Sequence, residues 1–396
     1  MNKMTVRDID VTGKRVLVRV DFNVPLNAKT GAITDDSRIR AVLPTIKYLI
    51  ENKAKIILLS HFGRPRGKVV DEMRLAPAAK RLAEILKKPV AVANDCIGPE
   101  AEKAVAALKF GDVLLLENLR FHPEEEKGDE SFAKALASLG DVYVNDAFGT
   151  SHRAHASISG IPYYLPAVAG FLLEKEINTL GGLLENPAHP FAALFGGAKV
   201  SDKVAMLKNI MGKVDCLLIG GGMAATFLKA KSYNVGASAV ETDTINIASE
   251  LIKAAENNHV RILLPVDVMV ADKINGSTAG KVVAIDAIPS DKIIVDIGPK
   301  TIDAFQKELE KSWTVFWNGT MGIAEIPQFA QGTQTLAKLL PHLKAKTIVG
   351  GGSTAETIEA LGLANKITFV STGGGASLEF LGGEELPGIV ALRDKI

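Results

Sequence analysis

The stretch Arg15-Val16-Leu17-Val18-Arg19-Val20-Asp21-Phe22-Asn23-Val24-Pro25 sets the pattern of the whole chain. Its apolar, β-branched residues predict a strand over 15–22, and Asp21 and Asn23 place polar side chains where that strand runs out. Downstream, Ile39, Val42, Leu43, Ile46, Leu49 and Ile50 recur at helical spacing, with Pro44 marking a kink or a later helix start. A second β-rich run, Lys55–Ser60, follows. Strand, helix and strand in this order make the repeating unit of a parallel α/β sheet.

Working outward, the same alternation continues through candidate strands at Asp112–Glu117, Asp141–Asp146, Phe191–Phe195, Asp215–Ile219, Arg261–Val270, Thr314–Trp317, Lys346–Val349 and Lys366–Ser371. The one long helical pattern with punctuation on both sides is Phe171–Glu185, after Pro166 and Gly170 and before Asn186-Pro187. A helix there joins an amino-terminal sheet domain to a carboxy-terminal one. The Glu124-Glu125-Glu126 run reads as a solvated loop or a helix start.

The chain has 396 residues, 46 basic and 45 acidic, for a formal charge of +1. That length allows two or three domains with full cores. The balance excludes a general nucleic-acid binder and a membrane-surface protein, both of which need surplus Lys and Arg. No apolar run reaches the ~18 residues of a membrane span. Met1 to Asp10 lacks the apolar core of a signal peptide, and Cys96 and Cys216 stand apart in apolar stretches, neither a disulfide framework nor a thiolate metal site. The expectation is a soluble, cytoplasmic protein. Eleven of the thirteen arginines fall at or before Arg153, which predicts that an anion is held by the first part of the chain.

In open parallel sheets, ligands bind at the carboxyl ends of the strands. In the first half those ends carry Asp21 and Asn23, His61 to Arg64, Asn118 to His122, and Asn145 to His155, with Arg38, Arg64, Arg120 and Arg153 among or near them. This set suits a small, multiply anionic ligand, with Asp21 and Asn23 free to hold a hydroxyl. In the second half the ends carry Gly196-Gly197, Gly220 to Gly222, Asn318-Gly319, Gly350 to Gly352 and Gly373 to Gly375. Each alone is also the mark of a tight turn. Together they point to backbone N–H groups facing a nucleotide's phosphates. Lys199 and Lys203, four residues apart, would share a helix face beside the first pair.

Motif chemistry narrows the class. None of the Gly-Lys pairs ending at Lys14, Lys68, Lys213 and Lys281 is followed by Ser or Thr, so there is no P-loop. Gly220 to Ala225 and Gly350 to Ala355 match a loose dinucleotide fingerprint, but Glu241, at the right distance for the acidic partner, follows no convincing strand. His152 and His155 have no supporting third metal ligand and read as surface or anion-facing. Trp313 and Trp317 read as core.

At this density of motifs the chain resembles the phosphoglycerate kinase family. The resemblance rests on Arg15 to Pro25, Ser60-His61-Phe62-Gly63-Arg64-Pro65, Glu117 to Phe121, Asn145 to Gly149, His152 to Ser157, Gly196 to Lys203, and Ser371 to Ser377, in order along the chain. It implies two doubly wound parallel-sheet (Rossmann-like) domains hinged about a cleft: 1–170 for the phosphoglycerate, with 376–396 packing back on it; 171–185 as connecting helix; and 186–375 for the nucleotide. It implies reversible phosphoryl transfer from 1,3-bisphosphoglycerate to ADP, giving 3-phosphoglycerate and ATP, with Mg²⁺ as the metal–nucleotide complex. The protein is then a monomer with small-molecule substrates only. Carried over by motif, the substrate residues are Asp21, Asn23, Arg38, His61, Phe62, Gly63, Arg64, Arg120 and Arg153. The nucleotide residues are Gly197, Lys199, Lys203, Gly221, Asn318, Glu325 (for the ribose), Gly350, Gly351, Gly352, Ser353 and Thr354. Arg38, Lys199, Lys203, Gly351 and Gly374 take the catalytic role.

Two positions depart from the family pattern: Ser353 stands where Asp is usual, and Thr320 where Pro follows Asn-Gly. The first leaves metal ligation by the chain unassigned, although Ser353 could still cap a helix. The competing readings are an NAD-dependent dehydrogenase, on the glycine fingerprints, and a catalytically silent binder of phosphoglycerate or nucleotide.

Overall fold

Residues 2–27 and 29–395 are described by the computed structural model. They divide into a first unit, up to Asn178 together with the residues from Glu385 onward, and a second unit, Thr179–Glu384. In the first unit, β1 (Arg15–Arg19), β2 (Lys55–Leu59), β3 (Val90–Val92), β4 (Val113–Leu115), β5 (Val142–Asn145) and β6 (Ala167–Ala169) form one parallel sheet in the order β3-β4-β2-β1-β5-β6. Consecutive residues Val16, Leu17 and Val18 are all fully buried, as are Ile56 to Leu59. Successive side chains point to opposite faces, so both faces of the sheet are covered. Pro44 lies in the first turn of a new helix, Leu43–Glu51, where its missing N–H costs nothing.

The second unit holds β7 (Phe191–Phe195), β8 (Cys216–Ile219), β9 (Arg261–Leu263), β10 (Asp267–Ala271), β11 (Lys281–Ala284), β12 (Ile293–Ile297), β13 (Thr314–Asn318), β14 (Lys346–Gly350) and β15 (Phe369–Val370). Six of them form a parallel sheet, β15-β14-β13-β7-β8-β9, and the other three an antiparallel one, β11-β10-β12. The single strand expected over Arg261–Val270 is therefore two strands in two sheets. Pro265, which has no N–H to donate to a ladder, lies between them. Trp317 is fully buried, but Trp313 is 57% exposed and is not core. It precedes β13, outside the covered part of the sheet.

The helix Phe171–Glu185 carries the chain from the first unit into the second. Of the expected returning segment 376–396, the start belongs elsewhere: helix Gly374–Leu381 lies in the second unit, where Asn209 donates to Leu381 O at 2.8 Å. The part from Glu385 onward is in the first unit, where Gly388 O accepts Asn145 Nδ2 at 2.8 Å and Lys3 pairs with Asp394 at 2.9 Å.

The helix Phe171–Glu185 starts on a buried carboxyl. Asp146 Oδ1 accepts the N–H groups of Leu172 (2.9 Å) and Leu173 (3.1 Å), while its buried Oδ2 has no hydrogen-bond partner. Gly170 is required at the helix start, because a Cβ there would collide with Asp146. Burial pushes the Asp146 carboxyl up to about 7, only partly opposed by Thr45 and the two N–H groups. Between about pH 4 and about 7 the folded chain then holds a proton that the unfolded chain has lost, so this group makes stability fall as pH rises, by about 4 kcal/mol across the window. Asp146→Asn keeps the acceptor and removes the dependence. Its melting temperature should exceed that of the unaltered chain at about pH 8 and converge with it at about pH 4; an equal deficit at both would contradict this account.

Candidate functional site

In the first sheet, β1 connects toward β2 on one side and β5 toward β6 on the other, so the topological switch lies between β1 and β5. The polar residues beyond β1 and β2 meet there. Arg38 Nη1 lies 2.5 Å from Asp21 Oδ2, and Asp21 Oδ1 accepts the Asn23 N–H at 3.0 Å. Asn23 Oδ1 in turn accepts the Gly63 N–H at 2.9 Å, and Arg120 Nη1 donates to Gly63 O at 2.8 Å. Gly63 has φ +60° with Met73 Sδ 2.9 Å from where a Cβ would stand, so a side chain is excluded. Asn118 clamps Phe62 on both backbone groups, accepting its N–H at 3.0 Å and donating to its carbonyl at 2.7 Å.

His61 is buried and surrounded by positive charge. Burial first, then Arg19, Arg120, Arg38 and Arg153, hold its imidazole well below the usual value. Arg19 Nη2 is 3.2 Å from His61 Nδ1. A guanidinium can only donate, so Nδ1 accepts and the ring's one proton is on Nε2. His155 is lowered to about 4, by burial first and then by Arg120, Arg19, Arg153 and His152. Arg153 donates through Nε to His152 at 3.3 Å, and Arg64 is exposed with no carboxylate partner among the described residues.

The support beneath this cluster was not among the expected residues. Arg19 is buried within β1, donating from Nε to Ser157 Oγ at 2.9 Å; Ser157 Oγ donates to Glu125 Oε1 at 2.6 Å, and the Ser157 N–H to Oε2 at 2.9 Å. The Glu124-Glu125-Glu126 run is the start of a helix, Pro123–Lys127, but Glu125 within it is a fully buried counter-charge rather than a solvated side chain. The signal was present in the sequence: an arginine inside an apolar strand covered on both faces must be paired.

In the second sheet the switch lies between β13 and β7. Here three glycine clusters serve the backbone itself. A Cβ at Gly196 would strike Thr320 O, one at Gly319 would strike Gly196 O, and one at Gly221 would lie 2.6 Å from Gly197 N. Their N–H groups are engaged as well: Gly197 N to Thr320 O at 2.8 Å, Gly221 N to Met321 O at 2.9 Å, and Met223 N to Gly197 O at 2.9 Å. The fingerprint at Gly220 to Ala225 therefore leaves no open phosphate cradle at Gly221. Glu241, the acidic residue a dinucleotide site would need, instead caps the loop after β7, accepting Val200 N at 2.7 Å and Ser201 N at 3.1 Å. The dehydrogenase reading fails on both counts.

What does converge is Lys203, Asn318 and Gly351. Lys203 is buried with Nζ on Asn318 Oδ1, and burial lowers its ammonium to about 8 against the opposing pull of Asp202. Asn318 Nδ2 is buried without a partner, and a Cβ at Gly351 would stand 2.9 Å from it. Gly351 has φ +94° and opens helix Gly352–Ala360; Thr354 Oγ1, inside the first turn, accepts Gly319 N at 2.8 Å. Two expectations are corrected here. Lys199 is exposed in a loop before the helical turn Ser201–Lys203, so it shares no helix face with Lys203. Ser353 is exposed and does not cap, because Gly351 holds the cap position. Glu325 is exposed, and among the described residues no hydrogen bond or ion pair ties it, Lys199 or Gly374 to the Lys203–Asn318 pair.

Residues 6–384 match the family model described as phosphoglycerate kinase. The chain belongs to the phosphoglycerate kinase family. It is 55% identical over its full length to the full-length phosphoglycerate kinase of Moorella thermoacetica, and 54% identical, again with 100% of each chain covered, to that of Pelotomaculum thermopropionicum. Among solved structures, the phosphoglycerate kinase of Coxiella burnetii matches 98% of each chain at 41% identity with TM-score 0.86. That of Pyrococcus horikoshii also covers 98% of each chain, at 35% identity and TM-score 0.85. The phosphoglycerate kinase reaction moves a phosphoryl group between 1,3-bisphosphoglycerate and ADP, a step of glycolysis.

Because the His61 imidazole binds a proton less well folded than unfolded, it makes stability fall as pH drops below about 6.5. Nitrogen-15 spectra should show His61 neutral, protonated on Nε2, from about pH 8 to about 6. Titration within that range, or a proton on Nδ1, would contradict the Arg19 contact.

Proposed function

We propose that the first unit binds the phosphorylated acid and the second the metal–nucleotide, and that the arginine cluster around His61 is what holds the acid. The observation that carries this reading is the convergence of Arg38, Arg120, Arg153 and neutral His61 on one strand edge, more positive charge than the neighbouring carboxylates offset. Arg64 adds a free exposed guanidinium. Asp21 and Asn23 are placed to accept or share a hydroxyl hydrogen bond, and Phe62 and Gly63 give the loop its shape. On the other side, Gly197, Lys203, Asn318, the first-turn N–H groups of Gly352 to Thr354, and Lys199 suit the nucleotide's phosphates. Gly221 contributes by packing, Gly350 and Gly351 by shaping the turn, and Glu325 and Gly374 by facing the nucleotide once it is bound.

Phosphoryl transfer needs alignment, exclusion of water and cations on the moving group, with little covalent help from the protein. Arg38 and Lys199 supply those cations from the two units. The acyl phosphate is a good donor, so no general base is needed toward ATP. Because the acid and the nucleotide reside on different units, the reaction requires closure about the helix Phe171–Glu185. Mg²⁺ is part of the nucleotide substrate: the loop Gly350–Thr354 offers hydroxyls and no carboxylate, so phosphates and water hold the ion. The reading keeps the cytoplasmic monomer that the family resemblance implies; separately, no helix among the described residues is long and apolar enough to cross a membrane.

A coupled assay of ATP formation from 1,3-bisphosphoglycerate and ADP tests the reading, and absence of turnover by folded protein at saturating Mg²⁺ overturns it. Arg38→Ala should lower kcat by about 10²-fold or more with much smaller changes in KM, since its charge matters most while the phosphoryl group is in flight. A pure KM effect would assign Arg38 to ground-state binding. Ser353→Asp should leave the Mg²⁺ concentration for half-maximal rate unchanged; a large drop would show that a carboxylate is missed.

A further inference from the structure

Beside the arginine cluster, on the far side of the turn Leu119–Phe121 that carries Arg120, three different ligand types converge in the first unit. Asp95 and Cys96 lie between β3 and helix Gly98–Ala106, and His122 follows the turn Leu119–Phe121 beyond β4. A carboxylate oxygen of Asp95, the Cys96 Sγ and a ring nitrogen of His122 all lie within 4.8 Å of one another. His122 Nε2 is 2.6 Å from Asp95 Oδ1, and that oxygen also accepts the Cys96 N–H at 2.6 Å. The thiol of Cys96 is in no disulfide and is buried, with the Asp95 carboxylate as its side-chain hydrogen-bond partner. The side chains of His122 and Asp95 are 26% and 47% exposed, which gives an ion a route from solvent to the buried sulfur.

We propose that Asp95, Cys96 and His122 form a binding site for a thiophilic divalent cation of the zinc class, with water completing four-coordination. The donor set decides the class. One sulfur, one imidazole nitrogen and one carboxylate oxygen suit Zn²⁺, Co²⁺ or Cd²⁺, whereas Mg²⁺ and Ca²⁺ want oxygen alone. Bonds of about 2.0–2.3 Å put tetrahedral donors about 3.5 Å apart, so no pair of the three atoms needs to close by more than about 1.3 Å, while the 2.6 Å His122–Asp95 contact opens by about 1 Å to admit the ion. Two of the ligands are adjacent in sequence and the third sits on a hydrogen-bonded turn, His122 N donating to Leu119 O at 3.2 Å. On binding, the Cys96 S–H bond breaks, a sulfur–metal bond forms and the proton leaves to solvent.

The test is Co²⁺ titration of the full-length, chelator-treated chain in buffer containing excess Mg²⁺. One equivalent should produce tetrahedral visible bands and a thiolate-to-cobalt charge-transfer band, both erased by Zn²⁺, and Zn²⁺ should raise the melting temperature. His122→Gln and Asp95→Asn, at half-exposed positions that need not disturb the fold, should weaken binding by more than about 10-fold. Cys96→Ser should lose the charge-transfer band and Cys216→Ser should keep it. Circular dichroism of each metal-free variant checks folding. No charge-transfer band in the unaltered chain, or Co²⁺ binding undiminished in both His122→Gln and Asp95→Asn, would overturn the proposal.

Discussion

A sheet whose strands all run parallel brings every carboxyl end to one edge, and both candidate sites depend on that constraint. β1 lies between β2 and β5, and β13 between β14 and β7; in each sheet the connections diverge from the two sides of that centre. An opening must exist there, and the chain fills its two openings by different means. The first is lined with charged side chains, which must be balanced where they are buried. The second is lined with backbone brought so close, Gly196 against Gly319 and Thr320, that only glycine fits.

Charge explains the first solution. At an effective dielectric of about 20, two like charges about 4 Å apart repel by about 4 kcal/mol, so a cluster of arginines without counter-charges would oppose folding. Asp21 meets Arg38, Glu126 lies 3.2 Å from Arg120, and buried Glu125 reaches Arg19 through Ser157. These offsets leave the unpaired face to a ligand. The formal charge of +1 thus hides a strongly cationic edge in the first unit.

Much of this was legible in the sequence, because strands buried on both faces read as unbroken apolar runs, as at Lys55–Leu59 and Phe191–Phe195. The antiparallel sheet was not, since β11 exposes three of its four residues and offers no such run. β3 and β6 are three residues each, too short for a pattern. Among site residues, the arginines after β1, β2 and β4 were legible by position. The pairing of Lys203 with Asn318 was not, as it joins residues 115 apart. Spacing alone misplaced Lys199, because Gly197 at φ +88° and the Glu241 cap delay the helix until after it. Trp313 misled for a simple reason: an aromatic ring just ahead of a buried strand is not itself inside the sheet.

The central claim is that acid and nucleotide are recognised by separate units. It is tested most directly by amide chemical-shift mapping of the labelled protein with each ligand alone. The account predicts that 3-phosphoglycerate moves the amides of Asn23, Phe62, Gly63 and Arg120, and that Mg²⁺–ADP moves those of Gly197 and Gly351 to Thr354. Both ligands shifting the same unit, with the other silent, would contradict it.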